Sequence, residues 1–165
     1  MEANVFKSAM RSGLILGVLF SVNFLLSNIV ASFLTWIMAV IIVIATLRLS
    51  NEYRDKELEG FIGYGKSLGF ILLSFFYASL ISAFVKIIYL QFINPDFLVN
   101  LYHETMLLME QIGFPITNEF EASMKNVLKP VPYSLFTILG NMFYGLILGL
   151  IMAAFVKKEK SVFEE

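Results

Sequence analysis

Cysteine is absent from this 165-residue chain, and histidine occurs once, as His103. Without cysteine there is no disulfide, no thiolate metal site and no cysteine nucleophile. A single imidazole excludes any centre that needs several histidines from one chain. Charged residues are scarce too, at 15%, against about 25% in ordinary water-soluble domains. The formal net charge is −1, so there is no basic excess of the kind that marks nucleic-acid binding. What the chain has instead is apolar surface: 58% of its residues are hydrophobic. That balance suits lipid as the surrounding solvent.

The distribution of charge sharpens this reading. No ionisable side chain interrupts the 36 residues from Ser12 to Leu47. As one helix they would extend roughly 54 Å at 1.5 Å per residue, whereas the hydrocarbon core is about 30 Å thick. The run must therefore cross, turn and cross again, with the turn expected near Ser27, Asn28 and Ser32. Lys7 and Arg11 ahead of this run resemble the basic start of a secretory signal. The run is too long for a signal core, however, and no alanine-x-alanine cleavage site follows it, so the first helix is expected to be retained. Four transmembrane helices follow, at about 6–27, 31–49, 65–91 and 132–156. Trp36 is expected near the outer interface between membrane and water. The apolar runs are continuous rather than alternating, which excludes a barrel and leaves helices, the one open-chain structure that satisfies its own backbone in lipid. The fold class is an all-α integral membrane protein forming a single domain over 1–165.

Between the third and fourth spans, residues 96–128 read as an amphipathic helical segment. Asn94-Pro95-Asp96 is a helix opening, with proline fixing φ and a carboxylate in the first turn. Leu98, Leu101, Thr105, Leu108 and Ile112 recur at helical spacing. Gly113 and Pro115 make a stop. Asn118 and Glu121 resemble a capping box for a second short helix, which Pro130 and Pro132 are expected to end. Orientation follows from lysine and arginine counts. Nine fall on the side of the termini (Lys7, Arg11, Arg48, Arg54, Lys56, Lys66, Lys157, Lys158, Lys160) and three on the other (Lys86, Lys125, Lys129). Both termini are accordingly expected in the cytoplasm and the 96–128 segment outside it.

Few motifs carry chemistry. Gly60 to Ser67 fits G-x-x-x-x-G-K-[ST], the phosphate-binding loop, but that loop works between a strand and a soluble helix. Here a charged run precedes it and an apolar helix follows. It reads as a glycine-rich lead-in to the third span, with Lys66 at the cytoplasmic interface. Gly145, Gly149 and Ala153 space small residues four apart on the fourth span, as Gly13 and Gly17 do on the first and Ala78 and Ser82 on the third, which lets helices approach closely within the chain or in a homo-oligomer. Asn23 and Asn141 are the polar residues placed deepest, expected to bond each other or backbone. Lys86 is expected to snorkel to the outer interface, with a carboxylate of the outer segment as the sharper alternative. His103, Glu104 and Glu110 lack metalloprotease spacing and read as a solvated face. The connector from Arg48 to Lys66 carries four charges of each sign, so it is not a polybasic lipid-binding stretch.

Read in order, Tyr53-Arg54-Asp55-Lys56, then Gly60, Ile62 and Tyr64-Gly65-Lys66, then Asn94-Pro95-Asp96-Phe97, then a glycine-rich last helix ending in lysines resemble a family of four-span bacterial inner-membrane proteins of the Bacteroidota, catalogued as domain of unknown function 4199. The resemblance covers essentially the whole chain. Ser67 stands where it implies alanine, which creates the phosphate-loop look-alike. It implies location and topology but no activity, cofactor or catalytic residue. The expected function is a non-enzymatic accessory or scaffold component of the inner membrane acting through protein contacts, with Arg54, Asp55, Lys56 and the outer segment as contact surfaces. Partners are the lipid bilayer and a protein or second copy, with no nucleic acid. The alternative is a small oligomeric transporter or channel lined by Asn23, Asn141, Lys86 and serines. An enzyme acting at Lys66 or His103 is the least supported.

Overall fold

Six α-helices follow one another in the computed structural model of the chain, which describes residues 4–29 and 32–159: α1 (Val5–Ile29), α2 (Ser32–Glu57), α3 (Tyr64–Ile88), α4 (Asp96–Gln111), α5 (Asn118–Val127) and α6 (Pro130–Val156). A π-helical turn, Tyr89–Ile93, continues α3. Four stretches are long and apolar enough to cross a membrane: Val5–Asn28, Phe33–Glu57, Tyr64–Ile93 and Pro130–Val156. Of the residues at the expected turn, Ser27 and Asn28 lie within α1 and Ser32 begins α2; residues 30–31 between the helices, and Lys160 in the tail, are outside the described residues.

By contact the chain divides into two units, 1–82 with 138–165, and 83–137. In the first, α3 is the most buried element, with Ser67, Phe70, Ile71, Ser74, Phe75, Ala78 and Ser79 all nearly inaccessible. Lipid tails are as apolar as leucine, so helix association in a membrane depends on close packing rather than on water exclusion. Glycines provide it. A Cβ on Gly13 would lie 3.0 Å from the Ser74 carbonyl oxygen and 3.2 Å from Ala78 N, and closer still to Tyr77 Cβ. A Cβ on Gly17 would sit 2.8 Å from Ile81 Cβ. On the other side, one on Gly145 would be 2.6 Å from the Phe75 ring and one on Gly149 2.9 Å from Leu68 Cδ1. At these points α1 and α6 present no side chain of their own to α3, and at Gly13 the contact reaches the α3 backbone. Around the contacts, Leu16, Phe20, Ile42, Ile71, Phe75 and Met152 form an apolar core, and the Phe20 and Phe75 rings meet edge to face at 5.3 Å. Buried hydroxyls bond back to their own helix: Ser21 to Gly17 O, Thr46 to Ile42 O, Ser74 to Phe70 O and Ser79 to Phe75 O, at 2.6–2.8 Å. This is how a helix accommodates Ser and Thr without water.

Helix α2 runs to Glu57, past the expected end at 49. The charge at Arg48 ends the apolar run, but charge does not end a helix. Lys56 and Glu52 pair at 2.6 Å across one turn, a helix-supporting spacing, and the Tyr53 ring stacks on Phe70 at 4.1 Å. The chain then turns through Glu59 (φ +54°) and Gly60 (φ +86°).

In the second unit, Pro95 caps α4 and Asp96 begins it. Gly113 takes φ +70° just beyond its end, the left-handed geometry that favours glycine there. Helix α5 corrects the expected cap: Thr117, not Asn118, precedes it, and its Oγ1 accepts from Phe120 N at 3.2 Å. Asn118 is the first helical residue, so the spacing from cap to third residue selects Phe120 rather than Glu121. Thr117→Ala should cost about 1 kcal/mol and raise amide hydrogen exchange in the first turn of α5, while Thr117→Asp should leave exchange near the parent level. Pro130 does not terminate α5; it opens α6, where the missing N–H is harmless.

Candidate functional site

Four helix ends of the first unit meet at one place. Near the start of α1, Ser8 Oγ donates to the Glu57 carboxylate at the end of α2. Arg54 Nη1 donates 2.9 Å to the Val156 carbonyl, one of the last carbonyls of α6, which has no intrahelical donor. The same guanidinium is held by Asp55 through Nε at 2.7 Å and Nη2 at 3.1 Å. Beyond α6, Lys158 and Ile62 exchange backbone hydrogen bonds of 2.8 and 3.0 Å, closing a short antiparallel bridge. Tyr64 Oη donates to the Leu150 carbonyl at 2.9 Å. Ala9, Tyr53, Ile62, Phe70 and Val156 pack beneath this cluster.

The residues expected as a contact surface are therefore partly structural. Arg54 is only 17% exposed and Asp55 54%. Lys56 is exposed and paired with Glu52. A recess of about 70 Å³ beside them is lined by Ser8, Arg11, Glu52, Lys56 and Glu57 among others, far below the roughly 300 Å³ at which ligand sites begin. Lys66 is exposed while Ser67 beside it is fully buried, so the two do not converge as phosphate binding requires. An isolated bridge, not a named strand, precedes α3.

The remaining expected positions are dispersed. Gly145 and Gly149 both face α3. Asn23 Oδ1 is buried with no hydrogen-bond partner, and among the described residues no bond joins it to Asn141. Lys86 is half-buried near the end of α3. His103, Glu104 and Glu110 are exposed, and no cluster of three metal-ligating side chains occurs among the described residues. Trp36 is 74% exposed.

The second unit holds what the motifs did not indicate. A groove of about 400 Å³ runs among Leu90, Leu98, Val99, Tyr102 and Leu128, with Lys125 and Lys129 on its wall. Lys125 bonds Glu121 at 3.3 Å and lies 5.5 Å from the Tyr102 ring centre. Lys129 donates to Asn126 Oδ1 at 2.8 Å. The Glu121 hydrogen bond, helped by Tyr102, raises Lys125 above its ordinary value of 10.5. A raised cation stabilises the fold fully below pH 10.5, and that contribution is lost as pH rises through the raised value. Titration of the Lys125 Nζ by NMR should show this upward displacement, and Glu121→Gln should remove most of it. Elsewhere in this unit, Leu107, Leu108, Ile112 and Phe114 are exposed although none lies in a span-length helix.

These features define a class: an all-helical protein whose four apolar helices have membrane-spanning length and are tied together at one end. A family model described as a protein of unknown function (DUF4199) matches residues 11–158. The chain belongs to that family. No curated protein and no solved structure matches it.

Proposed function

We propose that this is a non-enzymatic, multi-pass component of the bacterial cytoplasmic membrane that acts through protein contacts of its 96–128 segment. The lysine and arginine bias supports cytoplasmic termini. The joining of the starts of α1 and α3 to the ends of α2 and α6 supports both termini lying on one side, which makes the 96–128 segment extracytoplasmic. One observation carries the functional reading. Leu108 and Ile112, one helical turn apart at the end of α4, are 60% and 73% exposed, outside any span. Exposed apolar side chains paired in this way outside the spans are what a protein contact would cover. The occupied contacts of Gly145 and Gly149 favour a different protein over a dimer built on the α6 glycines.

The test is photo-crosslinking in native membranes from positions 108 and 112, with position 36 as a lipid-facing control. A single protein adduct of defined mass from both positions, with the adduct from 108 lost in Ile112→Lys, supports the reading. Adducts confined to lipid, or to a second copy, overturn it.

A second reading, a small oligomeric channel or transporter, draws on a different observation. Asn23 Oδ1, Ser50 Oγ, Asn51 Oδ1, Ser67 Oγ and Ser82 Oγ are buried without partners, each at a cost of about 1–3 kcal/mol, and polar groups within a membrane bundle commonly mark a path. Solute flux in reconstituted vesicles that falls in Asn23→Leu would support it. Vesicles no leakier than protein-free ones would remove it.

A further inference from the structure

The groove of about 400 Å³ in the second unit falls within the size range of ligand sites, roughly 300–1,000 Å³. Its floor is apolar: Leu90, Leu98, Val99 and Leu128. Its charged lining consists of Lys125, in the last turn of α5, and Lys129, in the turn that follows that helix. Glu121 offsets part of the Lys125 charge. Lys129 bonds the neutral Asn126 amide, so the wall keeps a positive balance.

Position selects the occupant. Leu90 and Gln91 lie in the last turns of the span-length stretch Tyr64–Ile93, and Pro130 opens the stretch Pro130–Val156. The groove is thus built where two spans leave the hydrocarbon, which is where lipid headgroups lie. The π-helical turn at Tyr89–Ile93 shapes this wall, and single π turns recur at binding sites because the extra residue re-aims its neighbours. Pro95 and Pro130, both lining residues, stiffen the two chain segments that flank it.

We infer that the groove binds one anionic phospholipid, one of its two acyl chains along Leu98, Val99 and Leu128 and its phosphate at the Lys125 and Lys129 ammonium groups. The inference rests on the membrane location of the chain but not on its acting through protein contacts. The 108 and 112 crosslinks can fail while lipid binding persists, and the reverse.

Native mass spectrometry of the full chain, released from mixed phosphatidylglycerol and phosphatidylcholine vesicles, tests it. One phosphatidylglycerol should be retained in preference to phosphatidylcholine. Retention should weaken roughly tenfold in the Lys125→Gln/Lys129→Gln double variant, since each lysine near an anionic headgroup contributes modestly, and recover with Arg at both positions. Both side chains are exposed, so the double variant should fold, and an unchanged melting curve verifies that. Val99→Trp, which fills the floor while keeping both charges, should also reduce retention. Lys66→Gln should have no effect. Equal retention of both lipids overturns the inference. So does unchanged binding in both the double variant and Val99→Trp, displacement of lipid by millimolar inorganic phosphate alone, or occupation of the groove by a second copy, seen as dimers that the Val99→Trp variant lacks.

Discussion

Gly13→Ala should destabilise the protein by about 1–3 kcal/mol or more, while Gly69→Ala should be neutral or slightly stabilising. The two substitutions add the same methyl group to a membrane helix. At Gly69 a Cβ meets nothing within 4 Å, and alanine is the better helix former by roughly 0.5–1 kcal/mol. At Gly13 the nearest atoms are Tyr77 Cβ, Ser74 O and Ala78 N. None of these is the free end of a side chain, so the methyl group can be accommodated only if α1 and α3 move apart. The α6 glycines extend the comparison. Gly145 faces the Phe75 ring at 2.6 Å, and that ring is fully buried and held against Phe20, so Gly145→Ala should rank close to Gly13→Ala. Gly149 faces the terminal methyl of Leu68, which can rotate away, so Gly149→Ala should be the mildest of the three. Thermal unfolding in detergent, followed by circular dichroism, gives the order directly. An equal response at positions 13 and 69 would show that α1 does not approach α3 as described.

Arg54→Gln should cost about 1.5–3 kcal/mol, the range for a hydrogen bond to a charged group. The Arg54 side chain spans two partners at once, the Val156 carbonyl and the Asp55 carboxylate. The Asp55 pair is half exposed and contributes little by itself, so Asp55→Asn should lose less than about 1 kcal/mol. The Val156 bond carries more because it caps α6 beside the Ile62 and Lys158 bridge. Arg54→Lys keeps the charge but not the planar fork, and should recover less than half of the loss. Faster amide exchange at Lys157 and Lys158 in Arg54→Gln would locate the effect at the end of α6. Full recovery by lysine would mean that charge alone, not the double contact, accounts for it.

The spans were legible because a charge-free run longer than the bilayer is thick admits one physical solution, and the glycines at four-residue spacing pointed to close helix contacts. Which contact each glycine makes was not legible, since spacing marks a face without naming its neighbour. The role of Arg54 was hidden for a related reason: its acceptor lies 102 residues away in the sequence, so a motif that looked like an exposed charge cluster is half a helix cap. Helix α2 continues eight residues past the expected end at 49 because charge marks the edge of an apolar run, not the end of a helix. The Asn118–Glu121 spacing points to a cap at Asn118, but Thr117 beside it caps as well, and only backbone geometry separates them. The 400 Å³ groove was invisible because its walls, residues 90–102 and 125–130, meet only in three dimensions.

The central claim is that four spans place the two ends of the chain on one side of the membrane and the 96–128 segment on the other. The absence of cysteine makes the test clean, because each introduced thiol is the sole one. Single cysteines replacing Lys7, Lys158 and Glu119 are treated with a membrane-impermeant maleimide on sealed right-side-out vesicles, before and after permeabilisation. Cysteine at 119 should label on intact vesicles, and cysteines at 7 and 158 only once the membrane is opened. Labelling of 7 and 158 from opposite faces, or of all three from the same face, would contradict the account.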